Sequence, residues 1–348
     1  MKIKDLCSYA PKSRTKAGEA VENAKYIFFT SSADENKRYT DFQFNKEAII
    51  MGTGGNATLH YYNGKFSVST DCLVLLPNSK IKCKYLYYFF KSHMSVLEAG
   101  FKGAGLKHTN KKYIEEINIS EVPDLTTQEK IISHLDTISD NIEKINRELE
   151  LFDSLIKARF VEMFGDYLKD DRRPLSEVAI ITGGLTKNSN RNTFETKMPY
   201  LRVANVFYNR LDLREILEIG VKEEEIEKTL LQAGDLLFVE GNGSIEQIGR
   251  VAIWDGSIDP ILHQNHLIKA RFNNEIIAPE YALFYFMLQE GRQQIISKSV
   301  STSGLNTLSV NKVSSLLLPI PPIALQKQFA DFVKQVDKSK FIQMNSTI

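Results

Sequence analysis

Few residues in this 348-residue chain have the types and spacing that could do chemistry. His263-x-x-His266 offers two imidazoles, but they sit at the start of a strand pattern with no carboxylate at a ligand-like spacing. Gly52-Thr-Gly-Gly55 has the glycine content of a phosphate loop. Without a following Lys-Ser/Thr at the head of a helix, it reads as a turn between strands. Glu115-Glu116 and Glu223-Glu-Glu225 read as solvated faces rather than paired catalytic acids. Cys7, Cys72 and Cys83 are odd in number and lack C-x-x-C spacing, which points to a reducing compartment and away from a disulfide framework or zinc site. The sequence contains no G-x-S-x-G elbow, no H-E-x-x-H and no Asn-Pro-Pro-aromatic stretch. Nothing in it assembles an active site.

The elements behind these residues are better defined. Hydrophobic residues make up 43% and charged residues 25%, enough for two soluble cores. No apolar run approaches the ~20 residues that cross a bilayer, and Met1-Lys-Ile-Lys-Asp5 leads into no signal-peptide core. The expected location is therefore cytoplasmic. The net charge of +1 hides an asymmetry: residues 1–125 carry 18 basic against 13 acidic residues, whereas 175–322 carry 14 against 17. Any nucleic-acid contact must then come from local patches or be shared with a partner.

The longest pattern runs from Thr126 to Phe164. Ile131, Leu135, Ile138, Ile142, Ile145, Leu149, Phe152 and Ile156 alternate four-three without a break, the seam of a coiled coil. Thr126-x-x-Glu129 predicts a capping box and Gly165 a left-handed stop. At ~1.5 Å per residue this helix is roughly 57 Å long and needs a partner for its seam.

On either side the chain repeats itself. In residues 1–125 the order is strand Ala48–Met51, the glycine turn at 52–55, and strands Thr58–Tyr62 and Lys65–Val68 joined by a predicted Asn63-Gly64 hairpin. Strand Cys72–Leu76, a helix from Tyr85 to about Glu98, the basic loop Gly100–His108 and a returning strand Ile114–Val122 follow. The second half shows strand Gly234–Val239, turn Glu240–Ser244, strand Arg250–Trp254 with a hairpin at Asp255-Gly256, and strand Leu267–Phe272. Helix Tyr281–Leu288, small-residue loop Val300–Thr307 and strand Val313–Ile320 complete it. Pro123 and Gln128 match Pro321 and Gln326 at an offset of 198, and Ile131, Leu135 and Ile138 match Phe329, Val333 and Val336. A period this long describes two globular modules rather than a solenoid. The predicted fold class is α+β: two tandem mixed α/β domains (1–125 and 167–322) separated by an antiparallel pair of long coiled-coil helices (126–166 and 323–348).

This arrangement resembles the specificity (S) subunit of type I restriction-modification systems. Pro123-x4-Gln128 and Pro321-Pro322-x3-Gln326 each launch a long helix, and Ser154–Asp166 resembles the family's passage from helix to second domain. Gly234-Asp-Leu-Leu, Gly249-Arg-Val-Ala-Ile and Gln264-Asn-His-Leu-Ile268 resemble the core of a target recognition domain. The resemblance covers the whole chain and implies a non-catalytic subunit with two domains, each reading one half of a bipartite double-stranded DNA target. It implies two methyltransferase subunits docked on the helices, with motor-nuclease subunits joining them. S-adenosylmethionine, and ATP with Mg2+, are then expected on those partners only. The alternatives left open are a cytoplasmic scaffold whose heads bind proteins, and a divergent catalytic domain.

With that resemblance, the polar and basic loops become candidates for DNA contact, because Arg, Lys and Asn donors match base edges while Ser and Thr position phosphates. In the first domain these are Lys12, Arg14, Lys16, Lys37, Arg38, Lys102, Lys107 and His108, with Asn110 beside them. In the second they are Lys187, Asn188, Asn190, Arg191, Asn242, Ser301, Thr302, Ser303 and Asn306. Subunit docking is expected on Ile131, Leu135, Ile138, Ile142, Ile145, Leu149, Phe329, Val333 and Val336. The final helix is short, so antiparallel pairing should run out near residue 140. Ile131 and Leu135 would then await a methyltransferase subunit, a second S chain or the first domain itself.

Overall fold

The computed structural model describes residues 1–169, 172–302 and 304–345. The chain divides into two compact units, Met1–Lys144 and Ile145–Ile348. Among the described residues, no helix is long and apolar enough to cross a membrane.

The first unit is built on a six-stranded sheet. Its strands are Cys7–Tyr9 (β1), Tyr26–Phe29 (β2), Arg38–Tyr39 (β3), Phe44–Gly52 (β4), Leu59–Val68 (β5) and Cys72–Pro77 (β6), ordered β1-β6-β4-β5-β2-β3. The second half of β4 is buried on both faces, and its alternation divides the core. Ile49 and Met51 face Ile3, Leu6 and the helix Cys83–Ser92 (α1), while Ala48 and Ile50 face Phe29, Phe66 and Val74. Asn63-Gly64 makes no hairpin. It lies inside β5, where Gly64 pairs with Lys46 and takes φ +147. β4 is long enough to pair with β5 through that point, and a continuous ladder outweighs the local turn signal. The helix after β6 stops at Ser92, and a second helix, Met94–Glu98, follows His93. The expected strand Ile114–Val122 is instead the helix Lys111–Glu116, capped by the Asn110 side chain, and then extended chain.

One helix, Leu125–Phe164 (α2), runs from the first unit into the second. Its cap is Asp124 rather than Thr126. The carboxylate accepts from the Thr127 N–H (2.9 Å) and hydroxyl (2.8 Å), and these bonds hold it below the usual carboxylate range. Glu129, freed from capping, pairs with Lys82. Gly165 is not left-handed; it is needed because a Cβ there would stand 2.7 Å from the Val161 carbonyl oxygen.

In the second unit, Ala179–Gly183 (β7), Leu236–Val239 (β8), Val251–Ile253 (β9) and Leu267–Phe272 (β10) form an antiparallel sheet ordered β9-β8-β10-β7. β9 and β10 flank β8, so Asp255-Gly256 does not join them as a hairpin; Gly256 turns the chain with φ +80. Residues Val300–Thr307, expected as a loop, contain two paired strands, Val300–Thr302 and Leu305–Thr307. The expected strand Val313–Ile320 begins as the helix Val310–Ser314 and becomes strand only at Leu317–Pro319.

The helix Pro279–Met287 (α3) and the helix Ile323–Asn345 (α4) pack with the second half of α2 into one apolar core. α4 runs antiparallel to α2: Phe329 meets Phe160 and Phe164, Lys340 pairs with Asp153 (2.7 Å), and Gln343 bonds Glu148. The described pairing reaches Glu148; the end of the chain, on which the expected limit near residue 140 depends, lies outside the described residues. Phe329, Val333 and Val336 are interior residues, at most 6% exposed, and offer no docking surface.

Each unit closes on the same latch. Gln128 is fully buried; its side-chain oxygen accepts from the N–H of Lys82, the residue capping α1, and its amide donates to the Pro123 carbonyl (2.8 Å for both) and that of Lys80. Gln326 is also fully buried. It accepts from the N–H of Ala278, which caps α3 (2.9 Å), and donates to the carbonyls of Pro321 (2.8 Å) and Ile276 (3.0 Å). The matched glutamines thus tie each helix start to its own head.

Candidate nucleic-acid interface

In the first unit, hydrogen bonds bring most of the candidate loops together. The 12–16 loop joins Thr70 through Thr15 O (2.8 Å), and the neighbouring Asp71 carbonyl accepts from Thr53 N (2.8 Å) and Ser31 Oγ (2.6 Å). Gly55 N donates to Lys107 O (2.9 Å), Thr109 N donates to Thr53 O (3.0 Å), and Lys102 and His108 bridge each other across their loop. The turn at 52–55 joins strands, as expected, and also seats the basic loop. Gly54 lets the His108 ring approach closely: a Cβ there would stand 3.2 Å from it. Lys12, Arg14, Lys16, Lys102, Lys107 and His108 are exposed. Lys37 reaches back to Thr30 Oγ1 (3.1 Å), and Arg38 is held by the carbonyls of Glu35 and Lys37. Asn110 is spent as a helix cap.

The second unit divides its candidates. Lys187, Asn188 and Asn190 are exposed around the turn Ser189–Thr193. Arg191 is not available to DNA: it is 7% exposed, grips Glu225 with two bonds (2.8 and 3.0 Å) and donates to the Gly220 carbonyl. Asn306 is similarly turned inward, 8% exposed and directed at the carbonyls of Asn242 and Gly243. The Asn242 side chain accepts from Ser244 N. Ser301 and Thr302 lie on a strand whose side chains are outside the described set, and Ser303 lies outside the described residues.

A patch that the sequence did not reveal surrounds Phe207 and Tyr208. The guanidinium groups of Arg210 and Arg250 lie over the Phe207 ring, 4.5 and 5.1 Å from its centre, and that of Arg292 lies 5.3 Å from the Tyr208 centroid. Arg292 also donates to the carbonyls of Glu246, Ile248 and Gly249. Burial lowers the proton affinity of Arg250 and Arg292 relative to free arginine. Both remain cations, because arginine does not deprotonate in proteins. Among the described residues, none of the three forms an ion pair with a carboxylate. Arginines spread over 82 positions make no local run, so no sequence window could have singled them out.

The histidines part company as well. His263 is fully buried with Nδ1 on the Thr229 carbonyl, and burial pushes it down to about 4, so it stays neutral. His266 meets Glu240 at 2.8 Å, a carboxylate the sequence had not placed there. Among the described residues no three potential metal ligands cluster.

Two α/β heads, each latched to the helix that follows it and carrying polar loops, define a duplicated binding module. The chain belongs to the family of type I restriction-modification DNA specificity proteins: the model described as "Type I restriction modification DNA specificity domain" matches residues 1–151 and again 171–348. It is 25% identical to the EcoKI specificity subunit of Escherichia coli K12 over 95% of this chain and 70% of that protein. It is 33% identical to the MpnII specificity subunit of Mycoplasma pneumoniae over 43% of this chain and 47% of that one. The fold is that of the S subunit crystal structure from M. genitalium, with TM-score 0.61, 16% identity, and coverage of 100% of this chain and 91% of that one.

Proposed function

We propose that this chain is the sequence-reading subunit of a type I restriction-modification enzyme. Its heads, 1–125 and 167–322, each read one half of a bipartite double-stranded DNA target, and its helices dock two methyltransferase subunits. Motor-nuclease subunits join through those partners, and S-adenosylmethionine and ATP with Mg2+ bind there rather than here. The observation that carries this reading is the duplicated latch of Gln128 and Gln326: two heads mounted alike on two helices give two readers. Arg210, Arg250 and Arg292 hold phosphates in the second half-site, while the 102–108 loop and the 12–16 loop serve the first.

The test is to purify the chain with its co-encoded methyltransferase and map the protected adenines. A split target with an unread middle is expected, and exchanging residues 167–322 for those of a relative should change one half only. A single uninterrupted site would sink the proposal. Replacing Arg210 and Arg250 by Ala should weaken binding similarly on all sequences and lower the salt dependence by about one unit per lost phosphate contact. An unchanged salt slope would remove the arginine patch from the interface.

A further inference from the structure

Each head carries a hairpin in front of a short helix, and the two hairpins fall into register at an offset of 199 residues. At that offset Asn110 matches Ser309, and each caps its helix. Asn110 accepts from Tyr113 N (3.0 Å) and Ser309 from Lys312 N (3.4 Å). Ile114 and Val313, matched one turn further on, are both buried. In front of the caps the legs pair in the same way. Lys102 and His108 exchange backbone bonds of 2.9 and 3.0 Å, and Val300–Thr302 pairs with Leu305–Thr307. Each returning leg leans on the glycine turn of its own head, His108 against Gly54 and Thr307 against Gly241. From Lys102 to Asn110 only Gly105 and Leu106 are identical to their counterparts, Gly304 and Leu305. Both leucines are exposed, by 69% and 46%. A Cβ added at either glycine would meet nothing within 4 Å. One exposed leucine needs no explanation. The same Gly-Leu tip in two otherwise unlike loops does.

We propose that Leu106 and Leu305 are specificity-determining residues, each packing on the methyl group of a thymine in its own half-site. This contact rests on the DNA-reading function proposed above and supplies what the basic and polar loop residues cannot. A hydrocarbon side chain forms no hydrogen bond with a base edge, and the thymine methyl is the apolar group those edges carry. That methyl lies in the major groove, whose width of about 12 Å admits a two-stranded ribbon. The undistorted minor groove, at about 6 Å, is too narrow for one. The ribbon is slender at its end, because the residue before each leucine has no side chain. In the first head Lys102, Lys107 and His108 are exposed around the tip and supply the charge that holds it to phosphates. Any half-site with a methylatable adenine also holds the thymine paired to it. One apolar tip therefore serves both heads while the residues around it diverge.

The test uses the chain purified with its co-encoded methyltransferase, on the split target that adenine protection defines. Each thymine of that target is replaced in turn by uracil, which removes one methyl and keeps every hydrogen bond. One replacement in each half should weaken binding by roughly three- to fivefold, the worth of one buried methyl. Leu106→Ala should abolish that sensitivity in one half, and Leu305→Ala in the other. Each variant should bind about tenfold more weakly with an unchanged salt slope, because no phosphate contact is lost. Both side chains are exposed, so both variants should melt with the wild type. Binding that ignores uracil at every thymine overturns the proposal, as does uracil sensitivity that survives both leucine variants. Weaker binding by Leu106→Ala without any uracil effect also overturns it, by making the tip a wedge between stacked bases. A complex that binds no split target overturns the DNA-reading function and this contact together; one that binds it and ignores the methyl groups overturns the contact alone.

Discussion

The two repeats share a latch and differ in what their helices face. In both, a buried glutamine five residues after a proline bonds the N–H that starts the head helix. In the second, aromatic residues from α2 seal the helix pair; in the first, the pair stays half-open. Intramolecular geometry is therefore conserved at the joint, while the apolar faces have diverged in burial. A mutation at equivalent positions should then cost very different amounts.

The sharpest form of that contrast compares Tyr88 with Phe284, its counterpart at an offset of 196. Phe284→Ala removes a ring that is only 5% exposed from the second core and should cost about 3–5 kcal/mol. Tyr88→Ala, from the open groove, should cost about 1 kcal/mol, mostly through its hydroxyl bond to Asp136. Urea titrations of both variants would break the comparison if the losses were equal. The latches should behave in the opposite way. Gln128→Ala strands a partly buried N–H and carbonyls, and Gln326→Ala strands a buried N–H and carbonyl, so each should cost about 1–3 kcal/mol. A large difference between them would mean that the joint is not equivalent in the two repeats.

Acid should separate the units next. His263 is held at about 4 by burial, against an ordinary value of 6.5. Between those values the unfolded chain binds a proton that the folded chain refuses. This contribution is thus fully present above about pH 6.5 and is lost as pH falls, with a slope of at most about 1.4 kcal/mol per pH unit. Hydrogen exchange at pH 5 against pH 7 should show the second unit loosening, and His263→Gln should flatten that response. An unchanged slope in the variant would assign the acid sensitivity elsewhere. The smallest effect belongs to the ion pair between head helix and following helix. Lys84→Glu should cost no more than about 1 kcal/mol at this partly exposed site, and adding Asp136→Lys should recover it. Failure to recover would mean that packing, not charge, holds the pair.

The duplication and the long helix were legible in the sequence because both are written in spacing: Pro-x4-Gln at an offset of 198, and an unbroken four-three seam from Ile131 to Ile156. Local turn chemistry was a poorer guide. Asn63-Gly64 looked like a hairpin because a two-residue signal carries no information about the strand that β4 offers along its whole length. Asp124 displaced Thr126 as cap because helix entry was fixed two residues earlier by the Gln128 latch to Pro123. Among the candidate contacts, exposed lysines in loops stayed where residue type placed them. Arg191 and Asn306 did not, because a carboxylate or carbonyl of the protein itself attracts the same donors that a base edge would. The arginine patch at Phe207 was invisible for the complementary reason, being assembled by folding from distant segments.

One detail of the duplicated joint bears on how the chain avoids confusing its own halves. The Lys84–Asp136 pair (2.7 Å) reappears at the matched positions as Glu280–Lys334 (3.6 Å), with the signs reversed. Were α1 to dock on α4 during folding, Lys84 would face Lys334; were α3 to dock on α2, Glu280 would face Asp136. Both misassemblies meet like charges, whereas each correct pairing meets opposite ones. A repeat protein with two interchangeable heads thereby carries a polarity code at the joint. Transplanting a head from one position to the other would need its charge recoded before it could seat.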